Sequence, residues 1–152
     1  MKDFKKKLVT LKFLKKKFLK FPRKKKIALC HGVFDIVHPG HLRHLIYTKK
    51  KAEFLIVSIT KDIFIKKGKY RPHVPQEIRA VNLCYYAMVD YVIIDDYETP
   101  KNLLKDLQPD FFSKGYEYSD LSSTKGETKT SEESDIIKKY GGQIIFTPGD
   151  IV

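Results

Sequence analysis

Acidic residues are almost missing from the first 26 positions, where Asp3 stands alone against thirteen Lys and Arg. The whole chain carries +12 at neutral pH. All of that excess therefore belongs to the leader, and the remaining residues balance with 17 charges of each sign. Cysteine is scarce as well: Cys30 and Cys84 are far apart, which argues against a disulfide scaffold and for a reduced, cytoplasmic setting. No apolar run is long enough to span a membrane. The lysine-laden amino terminus leaves no room for a signal-peptide core. Internal repeats are lacking. With 152 residues, 42% of them hydrophobic, one domain around one core is expected.

What the chain has in plenty, and in one place, is histidine. His31, His38, His41 and His44, four of the five, fall within fourteen positions. They follow the apolar run Ile27-Ala28-Leu29-Cys30, which reads as a buried strand, and Pro39 then opens a helical pattern. A strand, a glycine-bearing turn and a helix start make an anion site, because backbone N–H groups and the positive end of the helix dipole face the incoming charge. His38 and His41, three apart, share a helix face. Gly32 and Gly40 remove side chains where a nucleotide would meet a Cβ. Imidazole donors suit the charge that grows on phosphate oxygens during nucleotidyl transfer. Zinc is the other use of a His-x-x-His pair, but the glutamate of a His-Glu-x-x-His site is absent, and no metal site is expected. Phe34 is expected to pack under the loop. His44, one turn on, reads as a helix-surface residue, and His31, adjacent to the glycine, is a candidate phosphate contact.

Gly32-x-Phe34-Asp35-x-x-His38-x-Gly40-His41 resembles the signature of the cytidylyltransferase-like nucleotidyltransferases in every defined position. That family joins a nucleoside triphosphate to a phosphorylated small molecule and releases pyrophosphate. A similar His-x-Gly-His theme occurs in class I aminoacyl-tRNA synthetases, but this chain is too short for one and lacks a Lys-Met-Ser-Lys-Ser counterpart.

Phe4, Leu8, Leu11, Leu14 and Phe18 recur at helical spacing among the leader lysines, predicting one basic amphipathic helix from about Asp3 to Lys20, ended by Phe21-Pro22. Residues 1–25 are read as this helix and 26–152 as the main domain. The apolar face is expected to dock on its own domain, with docking on another subunit or on an anionic membrane or nucleic acid as alternatives. Beyond it, strands are predicted at Ile27–Cys30, Phe54–Thr60, Tyr91–Ile94, Asp110–Ser113 and Gln143–Phe146. Helices are predicted at His38–Lys51, Pro75–Met88, Pro100–Leu107 and Glu132–Tyr140, with a flexible polar loop from Ser119 to Ser131. In the second of these helices Ile78, Val81, Leu83, Tyr85 and Met88 are expected inward. Alternation predicts an α/β fold: a Rossmann-like, doubly wound, parallel five-stranded sheet with its ligand crevice at the carboxyl ends of the strands.

The segments after the other strands face the same crevice. Lys66-Lys67-Gly68-Lys69-Tyr70-Arg71-Pro72 follows the second strand, and Ser113-Lys114-Gly115 the fourth. Together with Glu77-x-Arg79, Val89-Asp90-Tyr91-Val92, Thr99-Pro100 and Pro109-Asp110 they look like the nucleotidyltransferase domain of ADP-heptose synthases, over roughly Lys26 to Phe146. That resemblance implies transfer of AMP, with CMP second, to a sugar phosphate such as heptose 1-phosphate, with Mg²⁺ bound to the triphosphate. It implies catalytic roles for His38, His41 and Lys67. It implies nucleotide contacts at His31, Gly32, Val33, Phe34, Asp35, Gly40, Arg71, Lys114 and Gly115, and substrate contacts at Thr60 and Asp62. Subunit pairing and a fused or partner sugar kinase are further implications. The family closes this domain with a Ser/Thr-rich stretch, and this chain stops at Thr147–Val152, about where that stretch should begin. A fragment of a longer protein or a shortened member is expected. The alternatives are a cytidylyltransferase for a polyol phosphate such as glycerol 3-phosphate, and a non-catalytic nucleotide-binding module.

Overall fold

The apolar runs become five parallel strands: β1 (Ile27–Gly32), β2 (Phe54–Thr60), β3 (Tyr91–Asp95), β4 (Phe111–Lys114) and β5 (Gln143–Phe146). The computed structural model describes residues 3–115 and 124–149; Tyr116 to Ser123, with the first part of the expected polar loop, and Asp150 to Val152 lie outside the described residues. Among the described residues, five α-helices connect or flank the strands: α1 (Leu11–Phe18), α2 (Pro39–Lys49), α3 (Gln76–Cys84), α4 (Lys101–Leu107) and α5 (Thr124–Tyr140). None is long and apolar enough to cross a membrane.

The strand order is β3-β2-β1-β4-β5. The chain moves outward from β1 through β2 to β3, then returns to the other side of β1 for β4 and β5. The order thus reverses between β1 and β4, and a doubly wound sheet opens its ligand crevice there, at the strands' carboxyl ends. Both sheet faces are covered. Alternating residues of β1 separate accordingly: Ala28 and Cys30 pack with Leu45 of α2 and Leu83 of α3, whereas Ile27 and Leu29 pack with Leu14 of α1, Leu104 of α4 and Ile137 of α5. The period of two in a strand enforces this division.

The leader differs from the expected single helix. Phe4–Lys7 is a 3-10 turn, Leu8 forms a parallel bridge with Val92, and the Val9 N–H donates to the Val92 carbonyl at 2.9 Å. Only then does α1 begin, N-capped by Thr10, whose Oγ1 accepts from the Phe13 N–H at 3.2 Å. Pairing with the open edge of β3 holds Leu8 and Val9 extended, and a capping threonine restarts the helix. Leu14 and Phe18 are buried against the domain's own core. Arg23 seals the junction, donating to the carbonyls of Phe18 (3.2 Å), Leu107 (3.3 Å) and Gln108, and pairing with Asp110 at 3.4 Å. Replacing Leu14 by alanine is expected to cost about 2–5 kcal/mol, the range for a truncated core leucine. Chemical denaturation checks this; a change under about 1 kcal/mol would mean that the leader is a loosely appended arm.

Two other expectations change. The α3 helix stops at Cys84, four residues early, and only part of the expected face is inward: Leu83 is buried and Met88 packs against the core, but Ile78 and Tyr85 do not. Ile78 is 58% and Tyr85 56% exposed, while Arg79, Ala80, Leu83 and Cys84 are buried. The reason is Arg79, whose buried guanidinium fixes the helix rotation. The α5 helix starts at Thr124, inside the stretch expected to be a loop.

Candidate active site

The strand β1 runs two residues further than its apolar run and delivers His31 and Gly32 to the carboxyl edge. The chain then turns through Phe34, whose φ of 51° is left-handed, an uncommon conformation for a bulky residue. Phe34 is buried, and its ring fills the space beside Gly32: a Cβ there would meet Phe34 Cε2 at 3.0 Å. Gly40 likewise makes room for His38, whose Cε1 would be 2.8 Å from an added Cβ. Both glycines thus accommodate the protein's own rings.

His38 and His41 cap the start of α2 reciprocally. His38 Nδ1 accepts from the Gly40 N–H at 3.1 Å, and His41 Nδ1 accepts from the His38 N–H at 3.2 Å. Histidines here play the parts that Ser and Glu play in a common capping box. The consequence is chemical. With Nδ1 accepting, the proton of each neutral ring sits on Nε2, so each ring keeps an N–H donor on its far side. The rings lie 3.9 Å apart, centroid to centroid, and Phe34 backs His41 at 5.3 Å. Two imidazole donors are therefore held side by side on the positive end of a helix, at the point where the strand order reverses.

Asp35 is an internal anchor. Its side chain is buried and accepts from the His73 and Val74 N–H groups, both at 2.9 Å, and from Arg71 Nε at 2.8 Å. Burial pushes its carboxyl up, but those two backbone donors and the Arg71 guanidinium prevail and hold it below the ordinary value. Asp35 thereby ties the basic loop after β2 to the histidine turn. Arg71 reaches the site through this ion pair. Lys67 stands exposed on the same loop and, among the described residues, makes no hydrogen bond or ion pair.

Arg79 received no role from the sequence, yet it organises the strand ends. Its guanidinium donates to the carbonyls of Val74 (2.9 Å), Val33 (2.6 Å) and Thr60 (2.9 Å) and to Asp62 Oδ1 (2.6 Å). Asp62 also accepts from the Gln76 N–H at 3.2 Å and its own N–H donates to Gln76 Oε1 at 2.9 Å. Asp62 thus helps to start α3. An arginine on a helix otherwise patterned for burial was the available signal.

His31 lies in β1 with Nδ1 2.7 Å from Ser58 Oγ and Nε2 3.3 Å from Thr60 Oγ1. Burial, helped by the positive charge of Lys114, pushes its pKa down to about 4. At neutral pH it is an uncharged hydrogen-bonding group. Since unfolded His31 takes up its proton near its ordinary value of about 6.5, the unfolded state binds more protons from there down to about 4. His31 therefore withdraws stability as pH falls through that window. Asp95, raised to about 6 chiefly by burial, acts in the opposite sense over the same range. The difference between wild type and His31→Gln isolates the histidine: wild type should lose stability relative to the variant on acidification, as measured by denaturant midpoints. A constant difference would contradict a neutral buried His31.

Lys114 ends β4, across the switch point from β1. Its Nζ donates to Glu133 Oε2 of α5 at 2.6 Å, and both side chains are largely buried. Gly115 follows directly. His44, expected on the open helix surface, is half-buried and hydrogen-bonded to Thr147 Oγ1, which brings the segment leaving β5 against α2. Among the described residues no group of three or more His, Cys, Asp or Glu side chains gathers to hold a metal.

The comparisons agree with this architecture. A family model described as cytidylyltransferase-like matches residues 29–146. The chain is 37% identical over 118 residues to "Bifunctional protein HldE" of Campylobacter concisus, an alignment covering 76% of this chain and 23% of that protein. It is 30% identical over 124 residues to the protein of the same name from Syntrophotalea carbinolica, covering 80% of this chain and 24% of that one. The chain thus spans less than a quarter of the length of these relatives. Among solved structures, a lipopolysaccharide core biosynthesis protein from Thermoplasma volcanium superposes with a TM-score of 0.64 at 23% identity, covering 82% of this chain and 97% of that one. Pantoate-beta-alanine ligase from Francisella tularensis gives 0.62 at 14% identity, covering 95% and 67%. These structural likenesses show a shared fold. With the histidine turn at the switch point and a family model spanning most of the sequence, the chain belongs to the cytidylyltransferase-like family of nucleotidyltransferases.

Proposed function

We propose that this protein transfers a nucleoside monophosphate from a nucleoside triphosphate to a sugar phosphate, releasing pyrophosphate, with ATP as donor and a heptose 1-phosphate as the acceptor of first choice. The observation that carries the reading is the pair of side-by-side imidazole donors of His38 and His41 on the start of α2. The likeness of Lys67-Gly68, Arg71-Pro72 and Lys114-Gly115 to ADP-heptose synthase domains supports the choice of base and acceptor. Residues 26–152 form the catalytic domain in this reading, and the leader buttresses it. The word "bifunctional" in the relatives' name supports a companion activity, for which a sugar kinase, fused or separate, is the natural supplier of the phosphorylated acceptor. The reaction belongs in the cytoplasm, where both nucleotide and sugar phosphate are made.

In the mechanism the acceptor's phosphate oxygen attacks the α-phosphorus in line, the bond to the bridging oxygen breaks, and pyrophosphate leaves opposite. No covalent bond to the protein forms. His38 and His41 donate through Nε2–H to the oxygens that gain charge, and Lys114, Arg71 and Lys67 balance the triphosphate. His31, neutral, donates or accepts without adding charge. The conformation of the turn is set by Asp35 and Arg79. Mg²⁺ fits as a companion of the triphosphate: with no cage of carboxylates among the described residues and Asp35 occupied by three donors, phosphate oxygens and water would supply its ligands, and when bound it would neutralise phosphate charge.

Pyrophosphate release tests the proposal, crossing ATP and CTP against heptose 1-phosphate, other sugar 1-phosphates and glycerol 3-phosphate. Release with ATP and a sugar 1-phosphate is expected. Release only with CTP and glycerol 3-phosphate would move the assignment to a polyol phosphate. Triphosphate binding without release from any pair would replace an enzyme by a binding module.

A further inference from the structure

The alternation of side chains sorts the ends of β1 and β4 by face. Cys30 and Ser113 are in register, and both turn toward α2, where Thr48 Oγ1 donates to Ser113 Oγ at 2.7 Å. With a period of two, the next residue of each strand, His31 and Lys114, turns to the opposite face, the one that α5 covers. There His31 is in register with Ser58 of β2 and hydrogen-bonded to it. Glu133 meets the row from the helix side and accepts from Lys114 Nζ at 2.6 Å. Ser58, His31, Lys114 and Glu133 thus cross from β2 through β1 and β4 to α5, at the carboxyl end of the sheet.

An ion pair so placed is costly. The Lys114 and Glu133 side chains are 10% and 6% exposed, and two apolar side chains of similar size would stabilise this packing at least as well. Stability alone does not account for the pair, but its place does. Lys114 ends β4, beside the point where the strand order reverses. A lysine stem is flexible and its ammonium is a point charge, so something must choose where that charge stands. The Glu133 carboxylate does so from a helix that is itself anchored by buried Ile137. The charge is felt in the crevice: after burial, Lys114 is the second cause that lowers the pKa of His31.

We propose that Glu133 is a positioning residue, which fixes the Lys114 ammonium beside His31 at the switch point, where it meets the phosphates of the nucleotide. This rests on the nucleotidyltransferase reading of the site, in which Lys114 balances the triphosphate. The helix α5 is then part of the support of the site as well as a cover for the sheet.

Two readouts on the full chain test this: calorimetric affinity for the α,β-methylene analogue of ATP with Mg²⁺, and titration of the His31 ring by NMR without nucleotide. Lys114→Met is expected to weaken the analogue about tenfold or more, the loss of a hydrogen bond to a charged group. Glu133→Met should do nearly the same, and Glu133→Gln, which keeps an acceptor, should fall between it and wild type. The double variant Lys114→Met/Glu133→Met should bind no more weakly than Lys114→Met, because Glu133 acts through Lys114. Ile137→Val, which loosens the same helix at an apolar contact, should leave affinity unchanged. The His31 pKa should rise in Glu133→Met as the ammonium leaves; an ammonium that stayed would lower it further, since a negative charge nearby has gone. Wild-type affinity in Glu133→Met, a lowered His31 pKa there, or losses that add in the double variant would overturn the role of Glu133 while leaving the functional reading intact. A wild-type chain that binds no triphosphate would overturn both. If Glu133→Met fails to fold, Glu133→Gln decides by the same two readouts.

Discussion

Replacing His41 by alanine is expected to lower turnover by about 10²–10³-fold, the usual cost of losing one fixed donor to developing charge. The His41 ring has two functions that the experiment must separate. Its Nδ1 accepts from the His38 N–H, so the substitution also removes half of a helix cap, worth about 0.5–2 kcal/mol. A chain of this size then melts only a few degrees lower, at about 2–4 °C per kcal/mol, and remains folded at assay temperature. A fall in kcat far larger than any change in triphosphate affinity is the expected signature, because the donor acts on charge that appears during transfer. A folded His41→Ala protein with wild-type turnover would remove His41 from the chemistry.

The largest effect on stability is expected at Arg79. Its guanidinium is wholly buried and serves three carbonyl oxygens and one carboxylate. Arg79→Met fills much of the volume but leaves the carbonyls of Val33, Thr60 and Val74 without that donor, and Asp62 without its cation. A buried acceptor left without a donor costs about 1–3 kcal/mol, so the three carbonyls together make a loss of at least about 3 kcal/mol and a fall in Tm of about 10 °C the expected result. Arg79→Lys should recover little, since one ammonium cannot reproduce a planar fork that reaches four acceptors. Thermal melts of both variants check this. An Arg79→Met protein as stable as wild type would show that the loops after β1 and β2 hold their places without the arginine.

How much of this was legible in the sequence depended on whether the determinant was local. Ile27–Cys30 and Phe54–Thr60 announce strands because several neighbouring apolar residues agree. Pro39 after a histidine marks the start of α2, and the glycines of the turn are visible as such. What those glycines accommodate was not visible, because the rings of Phe34 and His38 reach their places only when the turn is formed. The inward face of α3 is only partly legible for a related reason. Counting apolar residues places Leu83 inside, where it is, but also Ile78 and Tyr85, which are exposed; four acceptors gathered from separate segments draw Arg79 inside, and hydrogen bonding outweighs the hydrophobic pattern. The leader's periodicity is genuine, since Leu14 and Phe18 are buried. Its continuity was lost to an open strand edge that no local pattern reveals. His44 was read as a surface residue because its partner, Thr147, lies 103 positions away. The partners of Asp35 at positions 71, 73 and 74 were hidden by the same kind of distance, although the motif singled out the residue itself.

The central claim is that the histidine-capped start of α2 receives the reacting phosphate. A crystal structure of the full chain with a non-hydrolysable α,β-methylene analogue of ATP and Mg²⁺ tests it most directly. The account predicts the α-phosphate over the start of α2, with oxygens within hydrogen-bond distance of Nε2 of His38 or His41, and the rest of the triphosphate running toward Lys114 and Arg71. A nucleotide bound elsewhere, or one whose base rather than its phosphates occupies the helix start, would contradict it.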